Sequence, residues 1–257
     1  MRIARARLAS GATCYGWLEG DRFQPLNGSP FEQPVHELAA AGQAEPPGAW
    51  TLLAPCQPSK VVCIGRNYAE HAAEHGVAAP AEPLVFLKPP SAVIGPDQAV
   101  ILPPLSQRVE HEGELVVVIG RRARHLRVDN ALEVVLGYTC GNDVTARDLQ
   151  RSDGQWSRAK GFDTFCPLGP WIETELDWTA QQVQCLVNGQ VRQSAGADAM
   201  IFGVPELLAY VTAVMTLEPG DVLMTGTPSG VSPLRAGDGV TVAISGIGVL
   251  SNPVRAA

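Results

Sequence analysis

The sequence predicts a mixed, mainly β chain with few helices and a small β-rich unit at its N-terminus. Three observations lead there. Short apolar runs bounded by Gly, Pro, Asn and Asp dominate the 257 residues. Segments with helical periodicity are few and irregularly placed. No βαβ rhythm appears, which argues against a Rossmann domain or a TIM barrel. No repeat of fixed period is present.

Taken in order, Ala4–Leu8 and Thr13–Glu19 alternate like short strands, with Gly20-Asp21 as a turn. His36–Ala41 fits a short helix ended by Gly42, and Glu45-Pro-Pro-Gly-Ala-Trp50 fits a linker. Residues 1–57 are therefore expected to form a small unit ahead of a main body at 58–257. The body opens on the apolar run Val61–Gly65. Tyr68–His75 is expected to be a helix with Asn67 as its N-cap. Leu84–Lys88 is a strand stopped by Pro89-Pro90, Leu115–Ile119 another, Ala131–Leu136 a short helix, and Gly137–Gly141 a strand leading to Asp143. Cys185–Val187 and Val191–Gln193 flank Asn188-Gly189, the dipeptide favoured in type I′ hairpins. Pro205–Met215 is a helix, and Val222–Thr225, Val240–Ser245 and Val249–Asn252 are closing strands.

The chain is 46% hydrophobic and 18% charged, enough for a sizeable core, and its net charge of −7 argues against a general nucleic-acid surface. No apolar run approaches the ~20 residues needed to cross a bilayer. The basic start Met1–Arg7 lacks a following apolar stretch, so no signal peptide is expected. The six cysteines are scattered without a C-x-x-C pair, as for free thiols in a reducing cytosol. A cytoplasmic location is expected. Of 19 basic residues only Lys60, Lys88 and Lys160 are lysines. In a chain that uses Arg nearly everywhere, a retained Lys marks a place for a compact point charge.

The chemistry concentrates in a few acids. Glu112 and Glu114 lie two apart on an expected strand, so they share a face at roughly 6.6 Å between Cα atoms. Two carboxylates that close repel unless a cation lies between them or one stays protonated. The bland alternative leaves both in solvent, if Leu115, Val117 and Ile119 form the only core face. Asp143 follows a turn-like Cys-Gly-Asn; it supplies a third carboxylate, or else an N-cap for a helix from Val144. Arg147 and Asp148 fit a surface pair of little worth. An all-oxygen set suits Mg²⁺, Mn²⁺ or Ca²⁺. Three acids around a divalent ion leave about one negative charge, so an anionic substrate needs a further cation. Lys160 is nearest in sequence, and an ordinary solvated lysine is its alternative.

His71 and Glu74, at i and i+3, can bond on one helical face as a general-base pair. The letters His71-x-x-Glu74-His75 also match an inverted zinc-protease motif, although Gly76 ends the helix at once. Thr225-Gly-Thr-Pro-Ser-Gly230 offers backbone N–H groups to an anion but lacks the Lys of a Walker loop.

Together, Gly65-Arg-Asn-Tyr-Ala-Glu-His-Ala-Ala-Glu74, Phe86-Leu-Lys-Pro89, His111-Glu-Gly-Glu-Leu-Val-Val-Val-Ile-Gly120, Gly137–Gln150, Ala159-Lys-Gly-Phe-Asp-Thr-Phe165, Val187-Asn-Gly189 and Thr225-Gly-Thr-Pro228 resemble the fumarylacetoacetate hydrolase superfamily, in family order over nearly 200 residues. The resemblance implies a mixed β-sandwich roll and a homodimer. It implies Mg²⁺ or Mn²⁺ held by Glu112, Glu114 and Asp143, with Lys160 beside a small oxo-acid substrate. It implies a catalytic His71–Glu74 dyad on a lid helix, and substrate contacts from Gln150 and Thr227. Arg66 and Lys88 fall in matching segments and are expected near the substrate. The implied activity is cleavage of a 2-oxo or 1,3-diketo acid, as in acylpyruvate hydrolases or oxaloacetate decarboxylases. The alternatives are 2-hydroxyhepta-2,4-diene-1,7-dioate isomerisation or oxaloacetate tautomerisation, and an inactive member acting as a binding protein.

Overall fold

The computed structural model describes residues 1–74, 76 and 78–257. Its N-terminal part is a meander of β1 (Arg2–Leu8), β2 (Thr13–Glu19), β3 (Arg22–Pro25) and β4 (Trp50–Leu52). Next come β5 (Val61–Gly65), α1 (Ala69–Glu74), β6 (Leu84–Lys88), β7 (Val93–Ile94), β8 (Val100–Leu102), β9 (Val109–Glu110) and β10 (Gly113–Ile119). Then follow β11 (Val135–Asn142), β12 (Thr145–Ala146), α2 (Arg147–Asp153), α3 (Ser157–Lys160) and β13 (Cys166–Glu173). The chain ends with β14 (Gln182–Val187), β15 (Gln190–Gly196), α4 (Val204–Val214), β16 (Val222–Met224), β17 (Gly239–Ile244) and β18 (Gly248–Ala256).

The large sheet runs β3-β2-β1-β13-β11-β10-β16-β5-β6, and a five-stranded sheet runs β15-β14-β17-β18-β8. The two are packed face to face. Leu115, Val117 and Ile119 of β10 point into the core between the sheets with Val183, Cys185, Val242 and Ile244. The opposite face is also buried: Val116 and Val118 pack on Val61, Cys63, Val222, Met224 and Leu168. That double burial decides the question left open by alternation. The glutamate face is not a solvent face, and every residue of β10 is buried.

The N-terminal meander does not stand apart from this sheet. β1 pairs with β13 in antiparallel register (Arg2 with Glu173, Ile3 with Ile172), while Ala4, Ala6, Leu18 and Phe23 form a small core of their own. The expected hairpin is present. Asn188 and Gly189 have φ of 53° and 76°, both positive as a type I′ turn requires.

Several expectations fail locally. The segment expected as helix His36–Ala41 holds only a single 3₁₀ turn, Val35–Glu37. Asn27 bonds Ala39 through its N–H and its side chain, and Ala40 bridges Leu26, which pulls the chain into extended pairing. Ala131–Leu136 is likewise not an α-helix. A 3₁₀ segment covers Val128–Val134, and pairing of Val135 with Ile119 converts the rest to strand. Cys166–Glu173, a central strand, is not among the expected strands, since Pro167, Gly169 and Pro170 interrupt its apolar pattern. A register shift in the β11–β13 ladder spans Pro170 and lets the strand continue on both sides of it.

Candidate active site

The site begins with strand register. Gly113 lies opposite Asn142 and Glu114 opposite Gly141 in the antiparallel β10–β11 pair. The residues just outside that ladder, Glu112 and Asp143, are therefore neighbours, and the Asp143 N–H donates to the Glu112 carbonyl at 2.8 Å. Asn142 adds to this by accepting the Glu112 N–H at its side-chain oxygen, 2.9 Å away. Asp143 is not a helix cap. The following helix starts only at Arg147, after the short strand β12. One oxygen each from Glu112, Glu114 and Asp143 lies within 4.8 Å of the others, and all three residues are buried.

Three cations are buried with them. The Lys160 ammonium donates to Glu112 Oε2 at 2.8 Å and to Asp143 Oδ2 at 2.5 Å. The Lys88 ammonium donates to the other Asp143 oxygen at 2.6 Å and to the Val144 carbonyl at 3.1 Å. Arg147 bonds Glu112 Oε1, Glu110 Oε2 at 2.7 Å and the Gln150 amide oxygen at 2.6 Å. Arg147 is thus no surface partner of Asp148. Adjacent helical residues do not face one another, whereas i and i+3 do. Asp148 instead accepts from the Ser106 hydroxyl and the Gln107 N–H.

These contacts divide the acids sharply. Burial alone raises a carboxyl pKa, but Lys160 and then Arg147 outweigh it at Glu112 and hold that group far below the usual carboxylate range. Glu114 has no ion-pair partner among the described residues. Burial, then the charges of Asp143 and Glu112, push it well above the ordinary value, and neither the Lys160 charge nor the Gly226 N–H donor at 2.7 Å compensates. At Lys160 burial works against the charge, and Asp143 and Glu112 overcome it, so the ammonium is reinforced.

Gly226 reaches Glu114 because it has φ of +101°, and a Cβ there would lie 2.7 Å from the Asn67 Cβ. Asn67 itself is no N-cap. Its amide clasps the Phe202 N–H and the carbonyls of Phe202 and Thr225. That clasp fixes the turn after β5 and leaves Arg66 at φ of 59°, a left-handed conformation that non-glycine residues seldom adopt.

The expected anion-binding character of the 225–230 loop is realised toward the protein's own acids. Gly226 N–H serves Glu114, and Gly230 N–H lies 3.2 Å from both Glu74 oxygens. Ser229 adds a hydroxyl bond to Glu70 at 3.1 Å, so this loop latches α1 from two points. On α1, His71 is buried with Nδ1 at 3.4 Å from Glu74 Oε2. Burial lowers the imidazole pKa more than Glu112 and Glu74 raise it, so the neutral ring is favoured. With Nδ1–H directed at Glu74, Nε2 is the basic nitrogen. His75, the last letter of the zinc-protease pattern, lies outside the described residues.

These elements enclose a cavity of about 210 Å³ lined by Arg66, His71, Glu112, Glu114, Asp143, Arg147, Gln150, Lys160 and Thr227, with Phe86, Arg151 and Trp156. Two of the expected site residues do not line it. Lys88 lies behind Asp143, fully buried, and Glu74 sits on the outer side of His71. Thr227 lines the cavity with its hydroxyl already engaged, donating to the Gly113 carbonyl and accepting from Gln193. Gln193 is a support that sequence reasoning missed. Its NH₂ faces the Pro228 carbonyl, which fixes the amide orientation, so its oxygen accepts from Gly113 N–H and from His111 Nδ1. Glu110 and Trp156 were also missed. The spacing of Arg147, Gln150 and Arg151 on one helical face was a usable signal for α2.

Does this donor set fit a hard divalent cation? Three buried carboxylates converge, and one of them, Glu114, is destabilised as an anion by the other two. A cation at that point relieves the destabilisation, and the all-oxygen set matches Mg²⁺ or Mn²⁺.

The sequence model described as fumarylacetoacetate (FAA) hydrolase C-terminal matches residues 60–255. The chain belongs to the fumarylacetoacetate hydrolase family. Residues 1–55 match a second model, described as Rv2993c-like, N-terminal. Protein Rv2993c of Mycobacterium tuberculosis is 45% identical over 260 residues, covering 99% of this chain and 98% of the relative. The mitochondrial oxaloacetate tautomerase FAHD2A of Bos taurus is 45% identical over 217 residues, covering 79% of this chain and 69% of that protein. The solved structure of 5-carboxymethyl-2-hydroxymuconate delta-isomerase from Mycobacterium smegmatis superposes with a TM-score of 0.93 at 44% identity over the full length of both chains. Fumarylacetoacetate hydrolase family members include hydrolases and isomerases, and the mainly β fold described above is of this family's type. Among the described residues no helix is long and apolar enough to cross a membrane.

Proposed function

We propose that the protein is a Mg²⁺- or Mn²⁺-dependent enzyme that moves a proton on the enolisable carbon of a small 2-oxo acid, as a tautomerase or isomerase. The observation that carries this reading is the triad Glu112, Glu114 and Asp143 within 4.8 Å, facing one cavity with Lys160 and the neutral ring of His71. Its likeness to a tautomerase and to an isomerase at 44–45% identity supports the choice of reaction.

Glu112, Glu114 and Asp143 would hold the cation, and Lys88 acts by fixing Asp143 from behind rather than by touching substrate. When bound, a hard divalent cation supplies Lewis-acid stabilisation of negative charge developing at the oxo oxygen. Lys160, beside the same oxygens, adds fixed positive charge without reorganisation. Arg147 and Gln150 orient the substrate from the α2 side. His71 Nε2 takes the proton from the carbon next to the oxo group and returns it. Glu74 holds the ring in the Nδ1–H form and stabilises its transient charge. The latch of α1 onto the 229–230 loop keeps bulk water from that transfer.

A second reading, hydrolysis or decarboxylation across a carbon–carbon bond, is favoured by the same His71–Glu74 contact, which is equally suited to activating water. The experiment that separates the two uses the protein with Mg²⁺ and follows oxaloacetate enol-to-keto decay, CO₂ release, and pyruvate formation from acetylpyruvate in parallel. Enol decay accelerated far beyond the other two supports proton transfer. Pyruvate or CO₂ formed at the faster rate overturns it, and no magnesium dependence in any channel overturns the metal site.

A further inference from the structure

α2 carries Arg147, Gln150 and Arg151 on one face, and all three line the cavity. Arg147 is buried at its floor. Arg151, one helical turn further on, is exposed at its rim. The same cavity is lined by Arg66, half-buried, its guanidinium 5.8 Å from the centre of the Trp156 ring. Trp156 is itself held. It makes an edge contact with Phe86 at 5.0 Å between ring centres, and it covers Gly65, where a Cβ would fall 2.7 Å from the indole. Arg66 is therefore positioned twice, by the left-handed turn that Asn67 clasps and by the ring beneath it.

The charges of the floor and the rim differ in kind. In and behind the floor the formal charges of Glu110, Glu112, Glu114 and Asp143 equal in number those of Arg108, Arg147, Lys88 and Lys160, with Glu110, Glu112 and Asp143 ion-paired and Glu114 not, among the described residues. That set is balanced before any cation enters. Among the described residues neither Arg66 nor Arg151 has a carboxylate partner. A divalent ion together with these two arginines leaves the cavity strongly positive. One chelating carboxylate neutralises only part of that charge.

We infer that Arg66 and Arg151 form a rim subsite for a second, distal carboxylate, so that the substrate class is the 2-oxo dicarboxylates and their enols rather than 2-oxo monocarboxylates. This rests on the proposed metal-bound 2-oxo acid, whose chelating end it leaves unchanged. Guanidinium groups suit the task because they present paired N–H donors to a carboxylate.

The test is titration calorimetry of the whole protein in saturating Mg²⁺ with three probes. Oxalate occupies the floor alone, 2-oxoglutarate adds a distal carboxylate, and 2-oxopentanoate replaces that carboxylate with a methyl end. The wild type is expected to prefer 2-oxoglutarate over 2-oxopentanoate by about tenfold or more. Arg151→Gln, and Arg66→Asn (which keeps a residue tolerant of the left-handed turn), are each expected to shrink that ratio several-fold and the double variant to bring it near one. Oxalate affinity is expected to hold in all of them. A wild-type ratio near one, or a ratio kept in the double variant, overturns the rim subsite. A double variant that weakens oxalate as much as 2-oxoglutarate also overturns it, since the arginines would then serve the floor. Failure of the wild type to bind oxalate with Mg²⁺ overturns the metal reading instead.

Discussion

Two buried carboxylate centres in this molecule look alike in burial and differ in how completely they are satisfied. Asp221, at the start of β16, accepts from the N–H groups of Ser59, Lys60 and Glu218, from the Ser59 hydroxyl and from the Lys60 ammonium. Burial raises its pKa, but the Lys60 pair and the backbone donors outweigh that, and the group sits below its ordinary value. It ties the segment entering β5 to β16, a structural clasp with every lone pair used. Glu114 is as deeply buried and has a single backbone donor, with two further acids as neighbours. A fold that needed charge only for stability would not leave such a group crowded. Of these two, Asp221 is saturated and structural, whereas Glu114 faces the cavity without an ion-pair partner among the described residues.

The comparison breaks most easily by exchanging the two acids' fates. Glu114→Gln is expected to lower Mn²⁺ affinity at least a hundredfold and to abolish turnover, while thermal stability of the metal-free protein stays equal or rises. A calorimetric scan alongside the metal titration checks both halves. Asp221→Asn is expected to do the reverse: a loss of about 3 kcal/mol, or roughly 6–10 °C in Tm, from breaking a buried pair. Its metal affinity should match wild type. A slightly smaller effect concerns the cation itself. Mg²⁺ at a hundred times its Kd should stabilise the wild type by about 2.7 kcal/mol and leave the Glu114→Gln Tm unmoved.

The smallest expected effect is on pH dependence. Asp221 has a folded pKa below its unfolded one, so its contribution is present above the ordinary aspartate range of about 4. It is lost as pH falls through the lower folded value. Acid-unfolding curves of wild type and Asp221→Asn should therefore converge below about pH 4. Curves that stay parallel down to acid pH would show that the clasp carries no such linkage.

How much of this was legible in the sequence depended on whether the signal was local. Glu112 and Glu114 could be paired by strand alternation alone, whereas Asp143, open to reading as a helix cap, joined them as a ligand only through the family resemblance, since the β10–β11 pairing that brings it close is not a local signal. The hairpin at Asn188-Gly189 and helix Val204–Val214 were local signals. Arg147 was misjudged because its partners, Glu110 and Glu112, lie 37 and 35 residues away and meet it only through the β9–β12 pairing. Asn67 passed for a helix cap, since nothing nearby reveals that its amide is used by Phe202 and Thr225. Lys88 stood out as one of three lysines, yet composition could not say that it supports Asp143 from outside the cavity. The central strand Cys166–Glu173 was hidden by prolines whose tolerance depends on a register shift in its neighbour.

The claim on which the rest depends is that Glu112, Glu114 and Asp143 hold one hard divalent ion with positions left open to a 2-oxo acid. Titrating metal-free protein with Mn²⁺, followed by its electron paramagnetic resonance signal, tests this directly. The account predicts one ion bound per chain, a change of that ion's signal when oxalate is added, and loss of both in Glu114→Gln. Mn²⁺ that stays free, or that binds equally well to the Glu114→Gln variant, would contradict it.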